Sequence, residues 1–179
     1  MTSDGGSSYS PTPTATAGTI PCFTSGTLIR TPMGDVRMER LQVGDLVVTD
    51  DLGCQPIRYL ARSAVAGPDI PENLLPVLIR RGSLGPGQPV RDLVVSGQHR
   101  ILRAWREVRQ LFDEAEVLAP AKGLLRLQGV RLKRGVSQVA YIHILFDRHE
   151  VIFAEGARTE SYYPGPTILR DMSELNRRA

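Results

Sequence analysis

The chain has 179 residues, a net charge of +3 and 41% hydrophobic residues, which suits one domain with ragged ends and a single core. The basic excess is arginine scattered along the chain, with no lysine-rich block and no interleaved aromatics, and this argues against a nucleic-acid binder. Two cysteines cannot build a disulfide scaffold, and no apolar run approaches the roughly 18 residues of a membrane span.

In chain order, residues 1–20 come first. Their MTSDGGSSYSPTPTATAGT stretch has almost no bulky apolar side chain to offset its ordering entropy, so a flexible tail is expected. The start lacks a basic, then apolar, signal pattern, which leaves a cytoplasmic protein or one exported by a signal-less route. Patterning begins at Pro21-Cys22. TLIRT, DVRMERL, DLVVT, PIRYLA, PVLIR and DLVVSG are short Val-, Ile- and Leu-rich runs punctuated by turn residues such as Gly34-Asp35, Gly44-Asp45 and Gly53. Strands of this length with turns every eight to twelve residues predict an all-β domain. A long irregular excursion is expected around residues 63–90. EAEVLAPAKGLL holds one plausible helical turn, interrupted by Pro120. VAYIHILF and EVIFAE read as two further strands, and TILRDMSELNRRA (167–179) as a short helix or frayed end.

Cys22 stands where the Ser/Thr/Pro/Gly-rich tail meets the patterned chain. A thiolate there could attack the Pro21 carbonyl and turn the Pro21–Cys22 amide into a thioester, an N-to-S acyl shift. That step is uphill for a relaxed amide, so it needs a strained bond and a proton for the departing nitrogen. The plain alternative is a small apolar filler at a strand start. Ser96 and His99, separated by two residues within VVSGQHRIL, could be aimed by a turn at one amide, the hydroxyl bonding it and the imidazole donating a proton. Asp147 and His149 would share a face on a strand. His143 reads as a half-buried, hydrogen-bonded histidine. The other chemistries lack their spacing: no zincin motif, no compact metal-ligand set, no phosphate loop and no nucleophile elbow. A Cys22–Cys54 bridge is possible on arithmetic alone.

CFTSGTLIRTPMGDVRMERLQVGDLVVT resembles the opening motif of the Hint superfamily, the shared fold of Hedgehog autoprocessing domains and inteins, with Cys22, Gly44, Asp45 and Val47 at the motif positions. DLVVSGQHRIL is similar to the second motif, with Ser96 in the threonine position and His99 as its histidine. HILFDRHEVIFAEGARTES is similar to the late motif, with Asp147 and His149. PIRYLARS, EVLAPAKGLL and FDRHEVIFAEGARTESYYPG bring the resemblance closest to the bacterial Hint-2 type, over residues 21–166. The resemblance implies a compact Hint β-fold, Cys22 as nucleophile, Ser96 and His99 activating the amide, and Asp147 and His149 assisting a later proton transfer. It implies no cofactor and no metal. The substrate would be the chain's own residues 1–21, with water or a small thiol or amine as acceptor. Two departures matter. ARTESYYPG lacks the His-Asn pair that full splicing uses, so N-terminal cleavage or transfer is the expected outcome. Pro21 restricts how the scissile carbonyl is presented. The competing expectation is a catalytically silent Hint fold serving as a structural or binding module.

Overall fold

The computed structural model describes residues 21–104 and 116–162. The expected flexible tail (1–20) and C-terminal helix or frayed end (167–179) lie outside the described residues. Within them the chain forms fourteen strands and three short 3-10 turns. One sheet has six strands in the order β11 (Val130–Leu132), β7 (Val77–Ile79), β8 (Leu93–Val95), β1 (Phe23–Thr24), β12 (Gln138–Leu145), β6 (Tyr59–Ala66). The other has eight: β10 (Val117–Pro120), β9 (Arg100–Arg103), β14 (Ala157–Glu160), β13 (Val151–Ala154), β2 (Leu28–Thr31) and β3 (Gly34–Arg37), with β4 (Leu46–Thr49) joining β13 to β5 (Gly53–Pro56). All recorded strand pairs are antiparallel. The all-β expectation holds.

The runs read from sequence became strands where apolar residues alternate. LVVT of β4 buries Val47 and Thr49, and LVV of β8 buries Leu93 and Val95. The differences have local causes. DVRMERL was expected as one strand, but β3 ends at Arg37 and Met38–Arg40 turn as a 3-10 segment that sends Met38 into the core. The irregular excursion is shorter than 63–90, because β6 runs on to Ala66 and pairs with β12 over eight residues. The helical turn near Pro120 is a 3-10 turn, Ala121–Leu124, following a strand that ends on the proline.

The core lies between the sheets. Phe23, Ile142, Val95, Val77 and Ile79 from the first meet Ile29, Ile101, Ile152 and Ala154 from the second, all almost fully buried. Burying each such side chain contributes on the order of 1.5–3 kcal/mol. The two-residue turn between β13 and β14 ties these layers down. Its central residues, Glu155 (φ 48°) and Gly156 (φ 76°), both adopt the left-handed backbone such a hairpin needs. Glu155 is held there by bonds on three sides. Its N–H donates to the Leu28 carbonyl (2.9 Å), its carbonyl accepts from Val90 N–H (2.8 Å), and its Oε1 accepts from Leu28 N–H (2.9 Å).

Candidate active site

Strand β1 is only two residues long, yet it is wedged between β8 and β12 in the middle of the six-stranded sheet. Its registers build the site. Phe23 faces Ile142 and Thr24 faces Tyr141 on one side, and Phe23 faces Val95 on the other. Carried back one residue, both registers set Cys22 between His143 and Ser96. The contacts agree. Cys22 N–H donates to Ser96 Oγ (3.0 Å), and the Cys22 carbonyl accepts from Ser96 N–H (2.9 Å). Across the other side, Cys22 Sγ lies 3.6 Å from His143 Nε2. Because successive side chains alternate faces, Phe23 enters the main core while Cys22 joins Val139 and Tyr141 in a second cluster, with Val65, Ile70 and Val136 packed on it. A groove of about 340 Å³ lined by Pro68, Ile70, Leu75, Val136 and Ser137, among others, borders that cluster.

The same imidazole also reaches the carbonyl on the N-terminal side of Cys22. His143 Nδ1 is 2.9 Å from the Pro21 oxygen. A carbonyl only accepts, so Nδ1 carries the proton, and in the neutral ring Nε2 presents its lone pair toward the thiol. The ring of Pro21 was expected to hinder presentation of this carbonyl; here the oxygen is met by a donor.

Electrostatics leave the cysteine neutral at rest. Cys22 has no exposed surface, and burial pushes its thiol up to about 12 against the pull of the Ser96 hydroxyl. Burial also lowers the His143 pKa below its ordinary value, opposed by the bond to the Pro21 carbonyl. A neutral thiol facing a neutral imidazole is the resting state. The cysteines do not form the disulfide that arithmetic allowed: both keep their thiols, Cys22 buried and Cys54 exposed on β5 of the other sheet. A soluble alkylating agent is therefore expected to label one thiol, Cys54, in the folded chain and both after unfolding. Equal labelling of both in the folded chain would contradict the burial of Cys22.

His99 follows Ser96 through the turn that the spacing suggested, its N–H donating to the Ser96 carbonyl (3.1 Å). The ring packs against Phe23, centroids 4.3 Å apart, and is entirely buried with neither nitrogen hydrogen-bonded. An orphaned buried polar group costs about 1–3 kcal/mol. Burial, and to a lesser degree His143, lower the His99 pKa to about 3, so the ring is neutral at pH 7.

Asp147 and His149 are placed differently. β12 ends at Leu145 and β13 begins at Val151, so both lie in the connection and share no strand face. Asp147 takes two bonds from Arg58, Nε at 2.9 Å and Nη2 at 2.8 Å, at the surface. His149 Nε2 lies 3.3 Å from the buried carboxylate of Glu160. The structure thus gathers Cys22, Ser96 and His143, with His99 beside Phe23, and gives Asp147 and His149 other partners. Sequence reasoning passed over His143. The usable signal was its position in VAYIHILF, where Ile142 and Ile144 turn to the core and leave His143 on the face of Cys22.

Ser96→Ala is expected to leave Cys22 N–H without an acceptor and to lower unfolding stability by about 1–3 kcal/mol, read as a fall in the urea midpoint. An unchanged midpoint would show that the Ser96 hydroxyl contributes nothing to stability.

A family model described as "Hint domain" matches residues 21–166. No curated protein matches the chain. Among solved structures, the gp41-1 intein is similar at 15% identity with a TM-score of 0.51, covering 78% of this chain and 97% of its own. A bacterial intein-like domain from Clostridium thermocellum is similar at 13% identity with a TM-score of 0.51, covering 79% of this chain and 98% of its own. The MchDnaB-1 intein is similar at 12% identity with a TM-score of 0.50, covering 76% and 98%. At these identities the likeness is one of fold.

Proposed function

This chain belongs to the Hint domain family, and from that premise we propose that it is an autoprocessing domain that converts its own Pro21–Cys22 amide into a thioester. Cys22 is the nucleophile, residues 1–21 are the acyl segment, and water or a small thiol or amine resolves the thioester. Cleavage or transfer ends the reaction without splicing, since ARTESYYPG holds no His-Asn pair.

One observation carries the reading: a buried thiol whose own amide N–H is bonded to Ser96, with an entirely buried, unbonded histidine one residue away on Phe23. Ser96 steadies the amide nitrogen as the bond pyramidalises. His99, neutral and fully buried, supplies a ring N–H that finds its partner only when that nitrogen becomes a better acceptor. An interaction made only along the reaction path accelerates it without stabilising the starting amide. A catalytically silent module would bear the cost of His99 with nothing to offset it. Asp147 and His149, held by Arg58 and Glu160, are given no step. The acceptor reaches the site from the groove beside Ile70 and Val136.

The test is intact mass after incubating the full chain with a small thiol at neutral pH. A thiol-dependent product beginning at Cys22 is expected. A 19.7 kDa chain that stays whole at every thiol concentration would remove the proposal.

A further inference from the structure

Resting on that reading, we propose that His143 is a catalytic residue with two simultaneous tasks: its Nε2 takes the Cys22 thiol proton while its Nδ1–H stabilises the oxyanion forming on the Pro21 carbonyl. The geometry is specific to this ring. Nε2 is 3.6 Å from Sγ and Nδ1 is 2.9 Å from the Pro21 oxygen, so one imidazole spans the attacking atom and the acceptor of negative charge. Its orientation is set by the backbone. Strand β12 is paired along its whole length with β6, where His143 faces Ala61, and the Tyr162 ring packs 5.5 Å away with its backbone N–H bonded to the Ile144 carbonyl.

The steps balance. The thiol S–H bond breaks and its proton passes to Nε2. Sγ then bonds to the Pro21 carbonyl carbon, and the electron pair of the C=O bond moves to oxygen, beside Nδ1–H. On collapse the C–N bond breaks and the proton on Nε2 goes to the Cys22 nitrogen, giving a thioester and an amine with the imidazole neutral again. Charge separation is confined to one ring and one oxygen, which suits a site as buried as Cys22. It also removes the need for His99 to surrender a proton. A ring buried without any bond is poorly placed to hold the positive charge that a true acid carries, so His99 acts as a neutral donor.

Among the described residues, the titratable groups about His143 are Cys22 from the segment before β1, His99 beyond Phe23, Tyr162 after β14 and Tyr141 on its own strand. The imidazole must be unprotonated to act, so the rate falls as acid protonates Nε2. Burial lowers the His143 pKa, which places that acid limb below the ordinary histidine value of 6.5.

The experiment is the rate of thiol-dependent cleavage from pH 4 to 9 in the full chain, with wild type beside His143→Asn and His143→Gln. Asparagine can keep a donor near the Pro21 oxygen but offers no base. Wild type is expected to be flat near neutrality with an acid limb below pH 6.5. Both variants are expected to lose about 10²–10⁴-fold at pH 7 and to lose the acid limb, their residual rate rising with pH as thiolate forms. Exclusive labelling of Cys54 in the folded variants verifies that Cys22 is still buried. A folded variant that cuts at the wild-type rate, or keeps the wild-type acid limb, overturns this proposal alone. A wild-type chain that never cuts overturns the cleavage reading and this proposal with it.

Discussion

Replacing His99 by leucine is expected to reduce cleavage by about 10²–10⁴-fold while leaving the folded chain as stable as before, or more so. Most losses of a buried residue weaken a protein, and the reason for the opposite here is local. His99 is fully buried with both ring nitrogens unbonded, so the native state carries a polar group that water would have satisfied. A leucine of similar bulk removes that penalty and still packs on Phe23. The same variant has a signature in acid. Unfolded, His99 binds a proton near pH 6.5; folded, its pKa lies near 3. Between those values the unfolded chain holds more protons, so stability falls as the pH drops through the window. The slope is about 1.4 kcal/mol per pH unit for one group. Urea unfolding at pH 7 and pH 4 is expected to show a smaller acid loss in His99→Leu than in wild type. A variant that is markedly less stable at pH 7 and equally acid-sensitive would mean that His99 is an ordinary structural histidine.

The second large effect is expected at Cys22. Cys22→Ala should abolish thiol-dependent cleavage, because no other residue among those gathered at the Pro21 carbonyl is a thiol: the described neighbours are Ser96 and His143. The fold should survive. Removing one small buried sulfur leaves the backbone bonds to Ser96 intact and costs about 1 kcal/mol. Residual cutting between residues 21 and 22 in Cys22→Ala would assign the reaction to another nucleophile and remove the thioester from the account.

The β-fold was legible because alternation and turn chemistry are local signals. DLVVT, PVLIR and DLVVSG each display buried and exposed faces within a few residues, and Gly34, Gly44 and Gly53 mark turns at the ends of the early strands. Ser96 and His99 were legible for the same reason, since a turn links them in sequence. The rest of the site depends on register, which no local pattern reveals. Phe23–Thr24 is too short to read as a strand, yet its position between β8 and β12 decides what stands on each side of Cys22. His143 sits 121 positions from Cys22 and meets it only through that register. Its strand is so apolar that a histidine within it reads as a satisfied interior residue. Asp147 and His149 do not share the expected face because a spacing of two implies one only on a strand, and the connection between β12 and β13 has no such period.

The central claim is a thioester between the Pro21 carbonyl carbon and Cys22 Sγ. It is tested most directly by treating the folded full chain with hydroxylamine and identifying the released products by mass spectrometry. The account predicts a 1–21 peptide ending in a Pro21 hydroxamate and a partner fragment beginning with a free Cys22 amine, neither of them formed by Cys22→Ala. An uncut chain, a cut at another bond, or a 1–21 hydroxamate arising equally in Cys22→Ala would contradict it.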